Sequence, residues 1–507
     1  MAINEVAVIG AGGVAGLATI YELLHTNADG SSSVGKGKST EPFFTKIVGF
    51  EQKSSIGGTW NVEDYQPDPE LPSEEVLQTG EYDNVRVIKP PHKLLPSSVD
   101  LSKTSVSDQI ETSKDESYLQ WAKSGIYPRL YTNVPESYMR YSTTDKNDEC
   151  PTGLDPFITH QQLHKRMADF SQDHSLKEHI RFNTEVYNVK KEGEKWILTL
   201  RRHTDTHDYW YQEKFDGVIL AQGSFAIPYI PRFKGLSEFN KLHPGVVLHS
   251  KAYRDPEQFK GKKVVIVGGN ISAIDIGQYL APLAKEVIVS RDLSREPYLP
   301  YMARCINSFL NKPLIKEFLP YSNKIRLIDG TLLSNVDHVI LCTGYHIELP
   351  FLEPGILNYT VPENANAPNS NSRIKGLYQH IFNIEDPSLA FVGKLIVQTL
   401  FRNMESQAAA IVGIWSGAKT LPSKEDQYEW EQERLAETEE HLFHKYDIYK
   451  VKDVYFDKVR PFHTINRPDP LNDNLLDELK TYENSLVKFE ELFNDFREGR
   501  IDALHKF

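Results

Sequence analysis

Cysteine is scarce in this chain. Only Cys150, Cys305 and Cys342 occur in 507 residues, with no Cys-x-x-Cys pair. That argues against a disulfide framework, a readable metal site and the thiol pair of a disulfide reductase, and it fits a reducing, cytosolic setting. Positive charge is short as well. A net charge of −13 argues against a nucleic-acid binder, which would show a basic patch or stripe. No apolar run reaches the ~18 residues of a membrane-spanning helix. The opening residues, "MAINEVAVIGAGG", carry no basic leader and begin a strand almost at once, so no signal peptide is expected. No Ser–His–Asp arrangement is evident.

The length allows two to four domains at ~150 residues each. Self-similarity appears at long range. Two βαβ patterns, around Gly10 and Gly268, are each followed by a strand ending in a similar stretch, "ILAQG" at Gly223 and "ILCTG" at Gly344. Two such units point to two bound nucleotides. Between them, "PFITHQQLHKRMADFSQDH" reads as a helix and "IRFNTEVYNVKKEGEKWILTLRR" as strands turning at Gly193. Residues 63–117 read as irregular surface structure, and the chain from about Pro422 as an acidic, helix-like tail.

In "VIGAGGVAGLAT", Gly10 permits the tight turn after a strand, and Gly12 lets backbone approach a pyrophosphate at a helix N-terminus. Ala15 falls where a third glycine is usual, with Gly16 following, which leaves the register open. Glu51 ends the next strand, where a carboxylate can accept hydrogen bonds from ribose hydroxyls; the plainer alternative is a solvated strand end. "SIGGTW" offers two glycines before Trp60, either for close approach to a flat ligand or as a simple turn. In "VVIVGGNISAIDI", Gly268 keeps the turn while Asn270 and Ala273 replace the other glycines. Asn tolerates unusual backbone angles. Arg291 ends the following strand, where a guanidinium suits a 2′-phosphate and hence NADP. In "LYTNVPE", Asn133 places an amide that can both donate and accept in a loop before Pro135.

Together these stretches resemble the flavin-containing monooxygenases, the class B flavoprotein group. "HPGVVLHSKAYRD" keeps the spacing of that family's F-x-G-x-x-x-H-x-x-x-Y/F segment in Gly245, His249 and Tyr253, and "CTGY", "GLYQHIF", "PSLAFVG" and "FRNMESQAA" continue the likeness. Tyr253, where Baeyer–Villiger relatives carry Trp, favours heteroatom oxygenation. The departures are His243, Asn270, the extra residue in the first glycine loop and, more mildly, Gln222. The first three are read as falling in cofactor-handling places.

The resemblance implies an α/β fold with two Rossmann-like domains, the NADP domain inserted into a larger FAD domain: residues 1–224 and 345–507 for FAD, 225–344 for NADP. "AQGSFAIPYIPRF" and "CTGYHIELPFL" would be the crossings between them. Implied cofactor contacts, to FAD and NADPH, are Gly10, Ala11, Gly12, Gly13, Ala15, Gly16, Glu51, Gly58, Thr59, Trp60, Leu130, Thr132, Asn133, Val186, Ser224, His249, Tyr253, Gly268, Gly269, Asn270, Ser272, Ala273, Arg291 and Gln407. The implied reaction inserts one atom of O2 into a soft nitrogen or sulfur nucleophile through a C4a-hydroperoxyflavin, with Asn133 supporting that state and His249 as a linker rather than a proton carrier. A Baeyer–Villiger enzyme and a non-catalytic flavin binder are the alternatives. The implied location is cytoplasmic; homodimerisation and peripheral association with the cytosolic face of the endoplasmic reticulum stay open.

Overall fold

The computed structural model describes residues 3–62, 65–88, 100–115, 121–144, 149–297, 299–347, 349–360, 373–438, 440–471 and 475–507. Two sheets organise it, a mixed one of seven strands with a parallel centre and a parallel one of five. The chain opens with β1 (Glu5–Ile9), α1 (Val14–Leu24) and β2 (Lys46–Phe50). α2 (His160–Asp173) starts at a capping box, with Thr159 and Gln162 each satisfying the other's backbone N–H. β3 (Gly217–Leu220) then returns beside β1, in parallel register Val6 to Gly217 and Ile9 to Leu220. The seven-stranded sheet runs Leu377–Tyr378, Phe382–Asn383, β8 (Leu389–Phe391), β3, β1, β2, Ile180–Arg181. Four residues of β1 and all of β3 are buried, as expected when both faces of a parallel sheet are covered.

The second sheet has five parallel strands. It is formed by β4 (Val247–His249), β5 (Lys263–Val267), β6 (Glu286–Ser290), Leu310–Lys312 and β7 (His338–Leu341), with α3 (Ile271–Leu280) after β5. Its order is Leu310–Lys312, β6, β5, β7, β4. All its strands lie between residues 247 and 341, while the first sheet draws on residues 5–220 and 377–391. The two expected crossings run antiparallel: Tyr229 N–H donates to Gly344 O, and His346 N–H to Ile227 O, both at 2.9 Å. A four-stranded antiparallel meander (Ile110–Ser113, Thr184–Glu192, Lys195–His203, His207–Phe215) flanks the first sheet, and its turn at Gly193 has φ +60°.

The stretch 63–117 is irregular where described, apart from Glu74–Gln78, Val85–Ile88, Leu101–Lys103 and Ile110–Ser113. Residues 63–64, 89–99 and 116–117 lie outside the described residues. The acidic tail is helical only in part. After Lys424–Glu437 come loops, a run of short helical turns (Lys452–Phe456, Asp457–Val459, Arg460–Phe462) and then α5 (Leu475–Arg497). A division at residue 345 groups α5 with the first sheet, yet of its described residues only Leu479, near its start, packs on that core. The apolar face of α5 (Phe489, Leu492, Phe493, Phe496) joins the core of the five-stranded sheet, with Phe496 4.8 Å from Tyr279 of α3 and Glu490 paired to Arg304. Truncating one such phenylalanine should cost ~3–5 kcal/mol. A helix of α4 (Leu400–Trp415) instead packs on α1 within the first unit.

Candidate cofactor and active site

Both glycine turns stand at the C-terminal ends of central parallel strands. Gly10 has φ +82°, and a Cβ there would fall 2.5 Å from Gln222 Cα. Gly268 has φ +119°, and a Cβ there would fall 2.5 Å from Cys342 O. Each turn is thus pressed against the chain as it leaves the sheet for a crossing, and only glycine fits.

The first turn is tied down on every side. Gly10 and Ala11 N–H donate to Phe50 O at 3.0 and 3.1 Å. Gly12 N–H donates to Glu51 Oε2 at 3.0 Å, and Lys53 N–H to Glu51 Oε1 at the same distance. Glu51 is buried; burial raises its carboxyl above the usual range against the pull of those N–H groups. Gly13 caps α1, and Gly16 settles the register. A Cβ on Gly16 would lie 2.5 Å from Ala11 Cα and from Gly10 O, so Gly16, not Ala15, provides the close packing of helix on strand. The extra residue is absorbed before α1.

The "SIGGTW" loop closes over this turn. Gly57 N–H donates to Gly12 O at 2.9 Å, and a Cβ on Gly58 would meet Gly13 Cα at 2.9 Å. Thr59 O accepts from Ser124 Oγ, and Trp60 is half-buried beside it. From the far end of the chain, Gly393 comes within reach of Ala15: its Cβ position is 3.5 Å from the Ala15 Cβ. Gln407 holds it there, accepting from Gly393 N–H and donating to Tyr455 Oη, both at 2.8 Å. Sequence reasoning quoted Gly393 only within "PSLAFVG" and missed Lys394; a lysine straight after "FVG" in an otherwise apolar run was the available signal.

The second turn is barer. Asn270 caps α3 with an ordinary extended backbone (φ −108°), so the tolerance of asparagine for unusual angles is not what selects it. Its side chain and that of Ser272 are exposed, while Ala273 is buried. Arg291 lies under Gly269, whose Cβ position is 2.9 Å from its Cδ. Its guanidinium is not free for a phosphate. Nε donates to Asn311 Oδ1 (2.7 Å), Nη1 to the carbonyls of Asp292 (3.2 Å) and Arg295 (2.7 Å), and Nη2 to Glu296 Oε1 (3.3 Å) and Asn307 Oδ1 (2.8 Å). All five of its N–H donors are engaged.

The linker histidine is fixed as a neutral ring. Lys251 N–H donates to His249 Nδ1 at 3.1 Å, which leaves Nε2–H to donate to Gly344 O at 3.0 Å. Burial pushes His249 down to about 3. Tyr253 is fully buried between Tyr127 and Phe259, and its hydroxyl has no partner among the described residues. Val186 faces the core between the first sheet and the meander. Both side chains pack. His243 lies away from the turns, joined to Pro320 O at 2.8 Å and packed on Phe239.

In the "LYTN" loop, Thr132 ties the loop to Ile158, whose N–H donates to Thr132 Oγ1 at 3.2 Å, and Leu130 O accepts from His160 N–H. Asn133 projects from that anchored loop, exposed and without a hydrogen bond to a described residue. Ser224, half-buried at the start of the first crossing, accepts from Lys394 Nζ at 3.4 Å. Burial pushes the three thiols up to about 12, so none is a reactive thiolate. A cavity of about 570 Å³ between Leu77–Tyr82 and Arg232–Lys241 is lined by none of these residues. Among the described residues no helix is long and apolar enough to cross a membrane, and no group of three metal-binding side chains occurs.

Two sheets, each with a glycine turn leading into a buried helix, define an α/β protein. Residues 114–295 and 301–470 match the flavin-binding monooxygenase-like family, and the chain belongs to that family. It is 27% identical over 445 residues to flavin-containing monooxygenase ustF2 of Aspergillus flavus, covering 83% of this chain and 84% of that protein. It is 30% identical over 303 residues to senecionine N-oxygenase of Tyria jacobaeae, covering 60% and 61%. The structure of S-allyl-L-cysteine S-oxygenase from Allium sativum superposes with a TM-score of 0.66 at 23% identity over 97% of this chain and 94% of that one, a likeness of fold.

Proposed function

We propose that the chain is an FAD- and NADPH-dependent monooxygenase that transfers one oxygen atom of O2 to a nitrogen or sulfur nucleophile. The observation that carries this reading is the matched pair of turns, Gly10 against Gln222 and Gly268 against Cys342, each feeding a crossing between the two sheets. A small nitrogen or sulfur compound is also what the names of senecionine N-oxygenase and S-allyl-L-cysteine S-oxygenase describe as their substrates.

The residues present fit the cofactors. Gly12 leaves open the space that a Cβ would take beside Glu51, and both amide atoms of Gln222 are buried without a partner among the described residues. FAD would lie on the α1 N-terminus, its diphosphate on the backbone N–H groups there and its ribose on Glu51. NADPH would lie on the α3 N-terminus, at Gly268 to Asn270. When bound, the pair supplies hydride transfer and O2 activation. His249 keeps the crossing in place through Gly344 without moving a proton. Asn133 would offer its exposed amide to the reacting end of the flavin. The FAD domain in this reading comprises residues 1–224 and 345 to about 471, and the NADP domain comprises 225–344 together with α5.

The test is direct. Purified protein should be yellow, bleach anaerobically with NADPH, and on admitting air convert a small amine, thiol or thioether to its oxygenated product. Protein that binds no FAD on reconstitution, or that bleaches and never yields product across such a panel, overturns the reading.

A further inference from the structure

Lys394 is a buried cation in an unusual position. It follows Gly393, which stands beside Ala15 at the start of α1, and its side chain runs toward the first crossing, where Nζ meets Ser224 Oγ at 3.4 Å. The residue is only 9% exposed. No carboxylate forms an ion pair with it among the described residues, and burial alone lowers its ammonium to about 8. His444 feels its charge and is itself kept neutral by burial, by this lysine and by Arg373 and Arg434. A buried ammonium with no anion is costly, and proteins retain such a group where an anion arrives. A second observation points the same way. Gln222, two residues before Ser224 and pressed against Gly10, has both amide atoms buried with no partner among the described residues.

We propose that Lys394 is the counter-cation for the negative charge of the bound FAD, with Gln222 as the neutral donor beside it. This rests on the FAD reading above. FAD carries such charge on its diphosphate in both redox states and on its ring when reduced, and the experiment separates the two.

Parent protein, Lys394→Met and Lys394→Arg are stripped of flavin. FAD is titrated into each, thermal melts of the empty proteins are recorded, and the midpoint potential of the bound flavin is measured. If the diphosphate is the partner, Lys394→Met should bind FAD ten- to a hundredfold more weakly, and Lys394→Arg should recover most of the loss. If the reduced ring is the partner, oxidised FAD should bind as in the parent while the reduced form binds at least tenfold more weakly. A tenfold ratio lowers a two-electron potential by about 30 mV. In both cases the empty Lys394→Met protein should melt no lower than the parent, because an uncompensated charge has gone; a merely structural lysine would lower melting and binding together. Should the methionine variant not fold, Lys394→Gln takes its place in the same titrations. Unchanged FAD affinity in both redox states, or a loss of stability that accounts for the loss of affinity, overturns the proposal. Failure of the parent to bind FAD instead overturns the reading on which it rests.

Discussion

The Gly12 backbone N–H and the Glu51 carboxylate are joined at 3.0 Å, and a Cβ on Gly12 would fall 2.8 Å from that same oxygen. The turn and the acid therefore form one unit. Glu51→Ala should keep the fold, since Glu51 is a strand-end side chain, but leave the Gly12 and Lys53 N–H groups unpaired. Hydrogen bonds to a charged group are worth ~1.5–3 kcal/mol each, so FAD affinity should fall by ten- to about a hundredfold for each bond from Glu51 to the ribose that is lost. Isothermal titration of the flavin-free variant measures it. Affinity equal to the parent would remove Glu51 from the cofactor site.

Arg291 yields a different expectation from the one its position in the sequence suggests. A residue that donates to Asn311, Asn307, Glu296 and two carbonyls supports the second glycine turn from below. Arg291→Ala empties a buried position and removes those hydrogen bonds, whose acceptors are half-buried or exposed, at ~0.5–1.5 kcal/mol for a typical bond lost. The melting temperature should drop by several degrees, while the ratio of kcat/KM for NADPH over NADH should change less than threefold. A collapse of that ratio with stability intact would show that the guanidinium leaves its protein partners for the 2′-phosphate.

His249 should be absent from the pH–rate profile. Its folded-state value of about 3 lies below the unfolded value of ~6.5. The unfolded chain thus binds the proton more readily. The penalty is absent above pH 6.5 and grows as pH falls toward 3, at ~1.4 kcal/mol per pH unit for one proton. His249→Gln, which keeps a donor toward Gly344 O, should blunt acid unfolding relative to the parent in denaturant titrations between pH 4 and 7, and leave the kinetic pKa values unmoved. Loss of a kinetic pKa near 6.5 in this variant would make His249 a proton carrier.

What the sequence made legible was local. β1, α1 and β2 follow from apolar strands around a glycine turn, and Glu51 is marked by its place at a strand end. Where partners come from far along the chain, the pattern was silent. Arg291 reads as a coenzyme selector until Asn307 and Asn311 fold back onto it. Gly16 and Ala15 exchange roles because the crowding atoms belong to Gly10 and Ala11 across the turn. The tail reads as acidic and helical, yet only the three-dimensional path shows α5 covering α3. Lys394 is marked by its surroundings, and those come from residues 224 and 444.

Asn133 separates binding from oxygen transfer. Its loop is anchored by Thr132 on Ile158 and its amide is exposed, with no hydrogen bond to a described residue to lose. Asn133→Ala should therefore fold, bind FAD and accept hydride from NADPH at the parent rate, because hydride transfer needs only the two rings in contact. What should fail is delivery of oxygen to the substrate. One preorganised donor in a site that excludes water is worth ~3 kcal/mol, about a hundredfold in lifetime if it acts fully on the decay barrier. The variant should consume NADPH and release hydrogen peroxide in place of product. Asn133→Asp should do the same, since a carboxylate removes the donor and adds charge beside reduced flavin. The measurement is product formed per NADPH consumed, with peroxide assayed in parallel. If both variants couple as well as the parent, Asn133 serves only the turn before Pro135, and the donor that protects oxygen transfer lies elsewhere in the site.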